Sequence, residues 1–217
     1  MESQHYFSAQ PAGPDVRRPL SVVLAGARRD LVTSSGLFSP DGVDKGTAIL
    51  LDAVPEPEGQ HLLDIGCGWG PIALTMALKA PAATVHAVDV NERCIALTAE
   101  NAERLGLSNV VATTPDAVDA DLRFDTIWSN PPIRIGKQEL HALLLRWLPR
   151  LAPDGRAWLV VQKNLGADSL QRWLGDELPE GFTVRRAGTS KSFRVLEIHR
   201  PAWRLRRLRR LPPSARG

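Results

Sequence analysis

The run Leu62-Leu63-Asp64-Ile65-Gly66-Cys67-Gly68-Trp69-Gly70-Pro71 takes an apolar strand through three alternate glycines into a helix. Glycine accepts positive φ and lets a ligand approach the main chain, and Pro71 has the fixed φ suited to a first helical position. The unpaired N–H groups at such a helix start can receive an anionic group. The stretch therefore predicts a strand, loop and helix arranged as a cradle for a small molecule.

The pattern continues downstream of the cradle. Strands are predicted at 61–65, 84–88, 110–113 and 124–128, with a helix at 71–79 and a second that Asn91 caps and Gly106 ends. Leu140, Leu143, Leu144, Trp147, Leu148 and Leu151 fall at helical spacing, so a helix is expected over 138–151, stopping before Pro153-Asp154-Gly155. A buried strand at 158–162, a helix at 167–178, and an antiparallel pair at 182–186 and 193–199 complete the series. Alternating strands and helices predict an α/β fold, a mostly parallel sheet with helices on both faces and the antiparallel pair at its edge.

Upstream, residues 1–19 read as a polar arm, and 20–25 with 30–33 flank Gly26-Ala27-Arg28-Arg29 as a hairpin. A turn-rich loop follows, then Asp44 introduces a helix at 45–54 that stops before Pro55 and Pro57. The expected division is an arm and hairpin at 1–43, a main domain at 44–200 and a tail at 201–217.

The 217 residues, 43% hydrophobic, suffice for one ordinary core without staples. Charges or prolines interrupt every apolar run well short of the ~20 residues needed to cross a bilayer. The N-terminus has neither basic nor apolar signal regions, so a cytosolic location is expected. Cys67 and Cys94 lack metal-type spacing and read as small buried residues, with no metal site expected. Net charge is +3, and residues 201–217 hold six arginines and no acid. The basic balance is thus a property of the tail.

Asp89 ends the second strand of the α/β series, where dinucleotide folds place a ribose-binding carboxylate. Cradle and acid together imply an adenosine-containing cofactor at the C-terminal strand ends. The bland reading is a tight turn and a helix cap. The spacing G-x-G-x-G differs from the pyrophosphate-type G-x-G-x-x-G, which alone leaves NAD and other cofactors open.

Directly after the strand at 124–128 stands Ser129-Asn130-Pro131-Pro132-Ile133. Here the chain resembles the class I S-adenosylmethionine-dependent methyltransferases that act on planar exocyclic amines or amides, whose signature is Asn or Asp, Pro, Pro, then usually an aromatic. An aromatic amine is a poor nucleophile because its lone pair is delocalised. An Asn130 carbonyl and the Pro131 main-chain carbonyl would each accept one N–H, favouring a pyramidal nitrogen aimed at the methyl; this is positioning and electrostatic catalysis. The prolines stiffen the loop and remove competing donors. A proline-stiffened turn with Asn130 bonding locally is the structural alternative.

The resemblance covers nearly the whole chain, from His5-Tyr6-Phe7-Ser8 to about Arg200. It is to the small methyltransferase-domain family that includes the ribosomal RNA small-subunit guanine-N2 methyltransferases. Its landmarks are Gly36-Leu37-Phe38-Ser39, Asp44-Lys45-Gly46-Thr47, the glycine cradle, Asn130 to Lys137, and Gln162-Lys163-Asn164-Leu165-Gly166-Ala167. The resemblance implies a Rossmann-like fold with a seven-stranded sheet. It also implies that Asp64, Gly66, Gly68 and Gly70 line an S-adenosylmethionine site, with Asp89 on the ribose, Asp116 and Ala117 facing the adenine, and Gly46 near the methionine end.

One departure stands out: Ile133 occupies the place of the usual aromatic, whose stacking on a base is worth ~1–3 kcal/mol. Phe193 is read either as its replacement or as an edge-strand core residue, and Arg134 and Lys163 either as phosphate contacts or as solvated charges. The tail around 204–210 reads as an RNA grip, a surface helix or a solvated arm. The implied activity is methylation of an exocyclic base nitrogen in RNA, guanine N2 of 16S rRNA or the 30S subunit foremost. The alternatives are adenine N6, a protein glutamine amide, and a noncatalytic assembly factor. The sequence sets no oligomeric state.

Overall fold

The computed structural model describes residues 14–37 and 39–202. The stretch 5–8, Phe38 and the arginines from 204 onward lie outside the described residues.

The first described elements form a hairpin, β1 (Arg17–Leu24) and β2 (Ala27–Ser34), in which Leu24 pairs with Ala27. The connection is therefore two residues, Ala25 and Gly26, with φ of 47° and 77°. Positive φ at both positions matches the twist of the flanking strands. Ala27, Arg28 and Arg29 thus belong to the second strand and not to the turn expected from sequence.

Helix α1 (Lys45–Ala53) follows, then β3 (His61–Ile65), α2 (Pro71–Lys79), β4 (Thr84–Val88), α3 (Glu92–Arg104), β5 (Val110–Thr113) and β6 (Phe124–Ser129). The remainder is α4 (Lys137–Trp147), β7 (Leu151–Gln162), α5 (Ala167–Glu177), β8 (Thr183–Ser190) and β9 (Phe193–His199). Several boundaries differ from expectation: β8 runs past 186 to Ser190, and β1 begins at Arg17, inside the stretch read as a polar arm. The 138–151 helix gives way after Trp147 to a short 3-10 turn at Leu148–Arg150, and Leu151 already pairs in β7. Pro153-Asp154-Gly155, a stop signal in the sequence, sits within β7 where its register against β6 shifts. A bulge absorbs such turn formers without ending the strand.

Seven strands form one sheet in the order β5-β4-β3-β6-β7-β9-β8. The first five are mutually parallel, while β9 runs against β7 and pairs antiparallel with β8 at the edge. Successive strand residues face opposite sides. Leu63, Ile65 and Ile127 accordingly pack under Leu144 and Trp147 of α4 and Leu170 and Leu174 of α5. On the other face Leu62, Val85 and Trp128 meet Leu50 of α1 and Ile72 and Met76 of α2.

The hairpin packs against α2 and α3 through a third apolar cluster containing Leu20, Leu24, Leu31, Trp69, Leu74 and Leu97. Asn101 of α3, fully buried, fixes the hairpin in place. Its Oδ1 accepts from Val32 N at 2.9 Å, and its Nδ2 donates to Val32 O and Trp69 O, each at 2.9 Å. Val32 lies opposite Pro19, whose missing N–H costs the ladder nothing because Val32 bonds outward to Asn101. One side chain thereby ties the hairpin edge to the glycine loop.

Candidate active site

From β3 the sheet grows outward through β4 to β5, and the chain then returns to place β6 on the other side of β3. Open α/β sheets bind ligands beyond the C-terminal strand ends at such a reversal. The glycine loop leaves β3 there and Asn130-Pro131-Pro132 leaves β6 there. Between them opens a cleft of about 700 Å³, within the usual range for small-molecule sites.

Gly66, Gly68 and Gly70 have φ of 78°, 59° and 97°, so the loop requires three left-handed residues. Gly66 N and Cys67 N both donate to Val88 O at the end of β4, at 2.8 and 3.1 Å. Asp89 reaches back: Oδ2 accepts from Gly68 N at 3.1 Å and Oδ1 from Asn91 N at 3.0 Å. Burial raises the Asp89 carboxyl above its usual range, and those two N–H groups oppose the rise. The Cys94 thiol and the Val90 N–H also bond to this carboxylate, which lines the cleft.

Asp64 is fully buried beneath the loop, outside the cleft lining. Its Oδ2 accepts from Ala73 N at 3.0 Å, whereas Oδ1 has no partner among the described residues. Burial pushes its carboxyl up to about 8, with the Ala73 N–H pulling the other way and nearby Asp89 adding to the rise. Burial likewise raises the thiols of Cys67 and Cys94, so neither is a nucleophile at neutral pH. Asn91 Nδ2 and Trp147 Nε1, buried atoms of two residues that border the cleft, also lack partners among the described residues. Buried polar atoms of this kind are ordinarily satisfied.

At the other end of the cleft, Ser129 Oγ donates to Ile65 O at 2.7 Å and joins the tips of β6 and β3. Asn130 comes next, with both N–H groups taken: Nδ2 lies 3.2 and 3.1 Å from the two Asp44 oxygens and 3.1 Å from Thr47 Oγ1. A carboxylate only accepts, so this contact fixes which amide atom is nitrogen. Asn130 Oδ1 receives no hydrogen bond from the described residues. Pro132, with φ −73° and ψ 76°, centres an inverse γ-turn in which Ile133 N donates to Pro131 O at 2.8 Å. That carbonyl retains a second lone pair.

Gly46, in the first turn of α1, lies directly behind this group. A Cβ there would stand 3.1 Å from Asp44 Oδ1, 3.2 Å from Phe193 Cε1 and 3.3 Å from Asn130 Nδ2. Phe193 at the start of β9 thus sits beside Asn130 although 63 positions separate them in sequence. It packs partly on the α1-side core and partly lines the cleft.

Of the residues expected from sequence, Gly66, Gly68, Asp89, Asn130, Pro131, Pro132, Ile133, Arg134 and Phe193 line the cleft together. Gly46, Asp64 and Gly70 lie behind it. Asp116 and Ala117 are outside the lining; the Asp116 side chain is 91% exposed and pairs with Arg146 at 2.8 Å, while Pro115 borders the cleft instead. Lys163 is exposed next to Gln162, which does line it. Sequence reasoning placed Asp44 and Asn91 at helix starts, Trp147 on a helix face and Asp44 and Gln162 within family landmarks, but named none of the four as a site residue. Asn91 and Gln162 stand at C-terminal strand ends, and that position alone was a usable signal; Trp147 carried only the signature of a core helix.

Strand order and cleft position are those of the Rossmann-like methyltransferase fold. The chain belongs to the methyltransferase small domain family, whose model matches residues 28–197. The "Uncharacterized protein YbxB" of Bacillus subtilis is 39% identical over 188 residues, 85% of this chain and 94% of that protein. Ribosomal RNA small subunit methyltransferase C of Hahella chejuensis is 35% identical over 139 residues, 62% of this chain and 41% of that protein. The solved T. thermophilus 16S rRNA guanine-N2 methyltransferase RsmC, in complex with AdoMet and guanosine, is 24% identical with a TM-score of 0.70. That match covers 88% of this chain and 52% of the other and is a likeness of fold. The chain spans about half the length of the ribosomal RNA methyltransferases that it matches. Among the described residues no helix is long and apolar enough to cross a membrane.

Proposed function

We propose that this chain is an S-adenosylmethionine-dependent RNA methyltransferase acting on an exocyclic base nitrogen, with guanine N2 of 16S rRNA the foremost target. The observation that carries the reading is the Asn130 carboxamide, whose nitrogen is fully engaged and whose oxygen is left for a substrate at the cleft. The relatives named for small-subunit ribosomal RNA methylation support the choice of substrate.

Asp89 accepts the ribose hydroxyls, and Asn91, beside it, borders the same end of the cleft. When bound, S-adenosylmethionine would supply an electrophilic methyl carbon whose bond to the sulfonium sulfur breaks on transfer, the sulfur leaving as a neutral thioether. Asn130 Oδ1 and the free lone pair of Pro131 O each accept one N–H of the target amine, holding its lone pair out of conjugation with the ring. As the nitrogen gains the methyl it becomes positive and sheds one proton to water, so no strong base is required. The two acceptors stabilise that developing charge. Phe193 supplies the stacking face that Ile133 lacks, and Ile133 packs against the base edge. Arg134 and Lys163, both exposed, contact phosphate, and the arginines at 204–210 add salt-sensitive affinity.

The test is incubation with methyl-labelled cofactor and either 30S subunits or free rRNA lacking the modification. Label should enter RNA with wild-type protein and be lost in Asn130→Ala. Cofactor binding with no label in any RNA overturns the reading.

A further inference from the structure

We propose that Asp44 is a positioning residue for the transfer, presenting the Asn130 oxygen to the amine by holding both N–H groups of the same carboxamide together with Thr47. The inference rests on the reading of Asn130 given above and extends it to a residue that does not touch the substrate amine.

Asp44 caps α1, and its Oδ1 accepts from Gly46 N at 2.8 Å, a role that any good cap could fill. Capping leaves acceptor capacity on the carboxylate, and the remainder meets Asn130 Nδ2 from 86 residues away. Thr47 Oγ1 takes the second N–H at 3.1 Å. A primary amide has two N–H groups and one oxygen, so two acceptors behind it commit its orientation completely. Turning the amide over would set Oδ1 against an anionic oxygen. The absence of a side chain at Gly46 permits the close packing.

The charge of Asp44 matters beyond its shape. N–H donation to an anion polarises an amide and enriches its carbonyl oxygen in electron density. The target nitrogen is neutral before transfer and positive during it. A more negative Oδ1 therefore stabilises the transition state more than the bound substrate, which raises kcat and leaves KM alone.

Asp44→Asn separates this role from capping, because asparagine caps as well as aspartate. It removes the charge and introduces a donor that can pair with Asn130 Oδ1 and turn the amide over. In the full chain we expect an unchanged melting temperature, unchanged cofactor affinity, unchanged KM for RNA, and kcat lower by on the order of 10- to 100-fold. Thr47→Val should cost less, because the carboxylate contact survives. In an Asn130→Ala background Asp44→Asn should cost nothing further.

A second readout needs no substrate: solvent exchange of the Asn130 carboxamide protons, assigned by NMR against Asn130→Ala. It should be slow in wild type and faster in Asp44→Asn. Retention of kcat within twofold, or losses that add in the double variant, overturns the proposal. If wild-type protein methylates no RNA, the substrate reading falls, and the exchange rates alone decide whether Asp44 orients the amide; equal rates in the two proteins overturn it.

Discussion

Replacing Gly46 with alanine sets two effects of known sign against each other. Gly46 lies in the first turn of α1, where alanine is intrinsically better by up to ~1 kcal/mol. The new methyl would stand 3.1 Å from Asp44 Oδ1, 3.2 Å from Phe193 Cε1 and 3.3 Å from Asn130 Nδ2, inside the 3.4 Å at which ordinary contact begins. Overpacking costs ~1–3 kcal/mol in a rigid core. Phe193 and Asn130, however, are half-buried at the cleft and can retreat by a few tenths of an ångström. Net stability should therefore stay within ~1 kcal/mol of wild type. The displacement falls on the acceptor and on the stacking face, and misplacement of about 1 Å costs on the order of 100-fold in rate. We expect kcat to fall ~10- to 100-fold with an almost unchanged thermal midpoint. Melting curves and single-turnover methyl transfer measure the two quantities on one preparation. A stable Gly46→Ala protein with wild-type turnover would refute the claim that these side chains form the reacting end of the cleft.

Other perturbations probe the cradle and its supports. Asn101→Ala strands a buried N–H and two carbonyls, each worth ~1–3 kcal/mol, so stability should drop by roughly 3–5 kcal/mol in urea unfolding; a loss below ~1 kcal/mol would show that the hairpin is held by its apolar contacts alone. Asp89→Ala should weaken cofactor binding at least roughly tenfold by calorimetry, the loss of about one charged hydrogen bond, and unchanged affinity would remove Asp89 from the site. Asp64, with its carboxyl at about 8 when folded against ~3.9 when unfolded, holds a proton in the native state that the unfolded chain has released. Its contribution is fully present below the unfolded value and is lost as pH rises through the folded one, at up to ~1.4 kcal/mol per pH unit. The stability of Asp64→Asn should lack that decline between pH 5 and 8, and parallel pH profiles for the two proteins would contradict the buried, protonated assignment.

Much of this architecture was legible because local and global signals agreed. Most strand ends from 61 to 128 fall near Gly, Asn or Pro, and helices join β3 to β4 and β4 to β5, which sets those strands parallel. The errors arose where a local signal served another purpose. Gly26-Ala27-Arg28-Arg29 looked like a turn, but backbone twist favours a two-residue connection and returns Ala27 to the ladder. Pro153-Asp154-Gly155 looked like a boundary and is a bulge within β7. At the site, residues on loops directly following strands could be named from sequence. Asp44 read as a helix cap, which it is; that its remaining acceptor sites meet Asn130 depends on α1 lying against the tip of β6, a tertiary fact without sequence periodicity. The proximity of Phe193 to Asn130 depends likewise on β9 inserting between β7 and β8.

The central claim is that the Asn130 oxygen directs methyl transfer to an exocyclic amine in ribosomal RNA. Mass mapping of 16S rRNA nucleosides from a strain lacking this chain, complemented with wild type or Asn130→Ala, tests it most directly. The account predicts one N2-methylguanosine that is absent without the chain, restored by wild type and not restored by Asn130→Ala. An unchanged modification map, or full restoration by the Asn130→Ala protein, would contradict it.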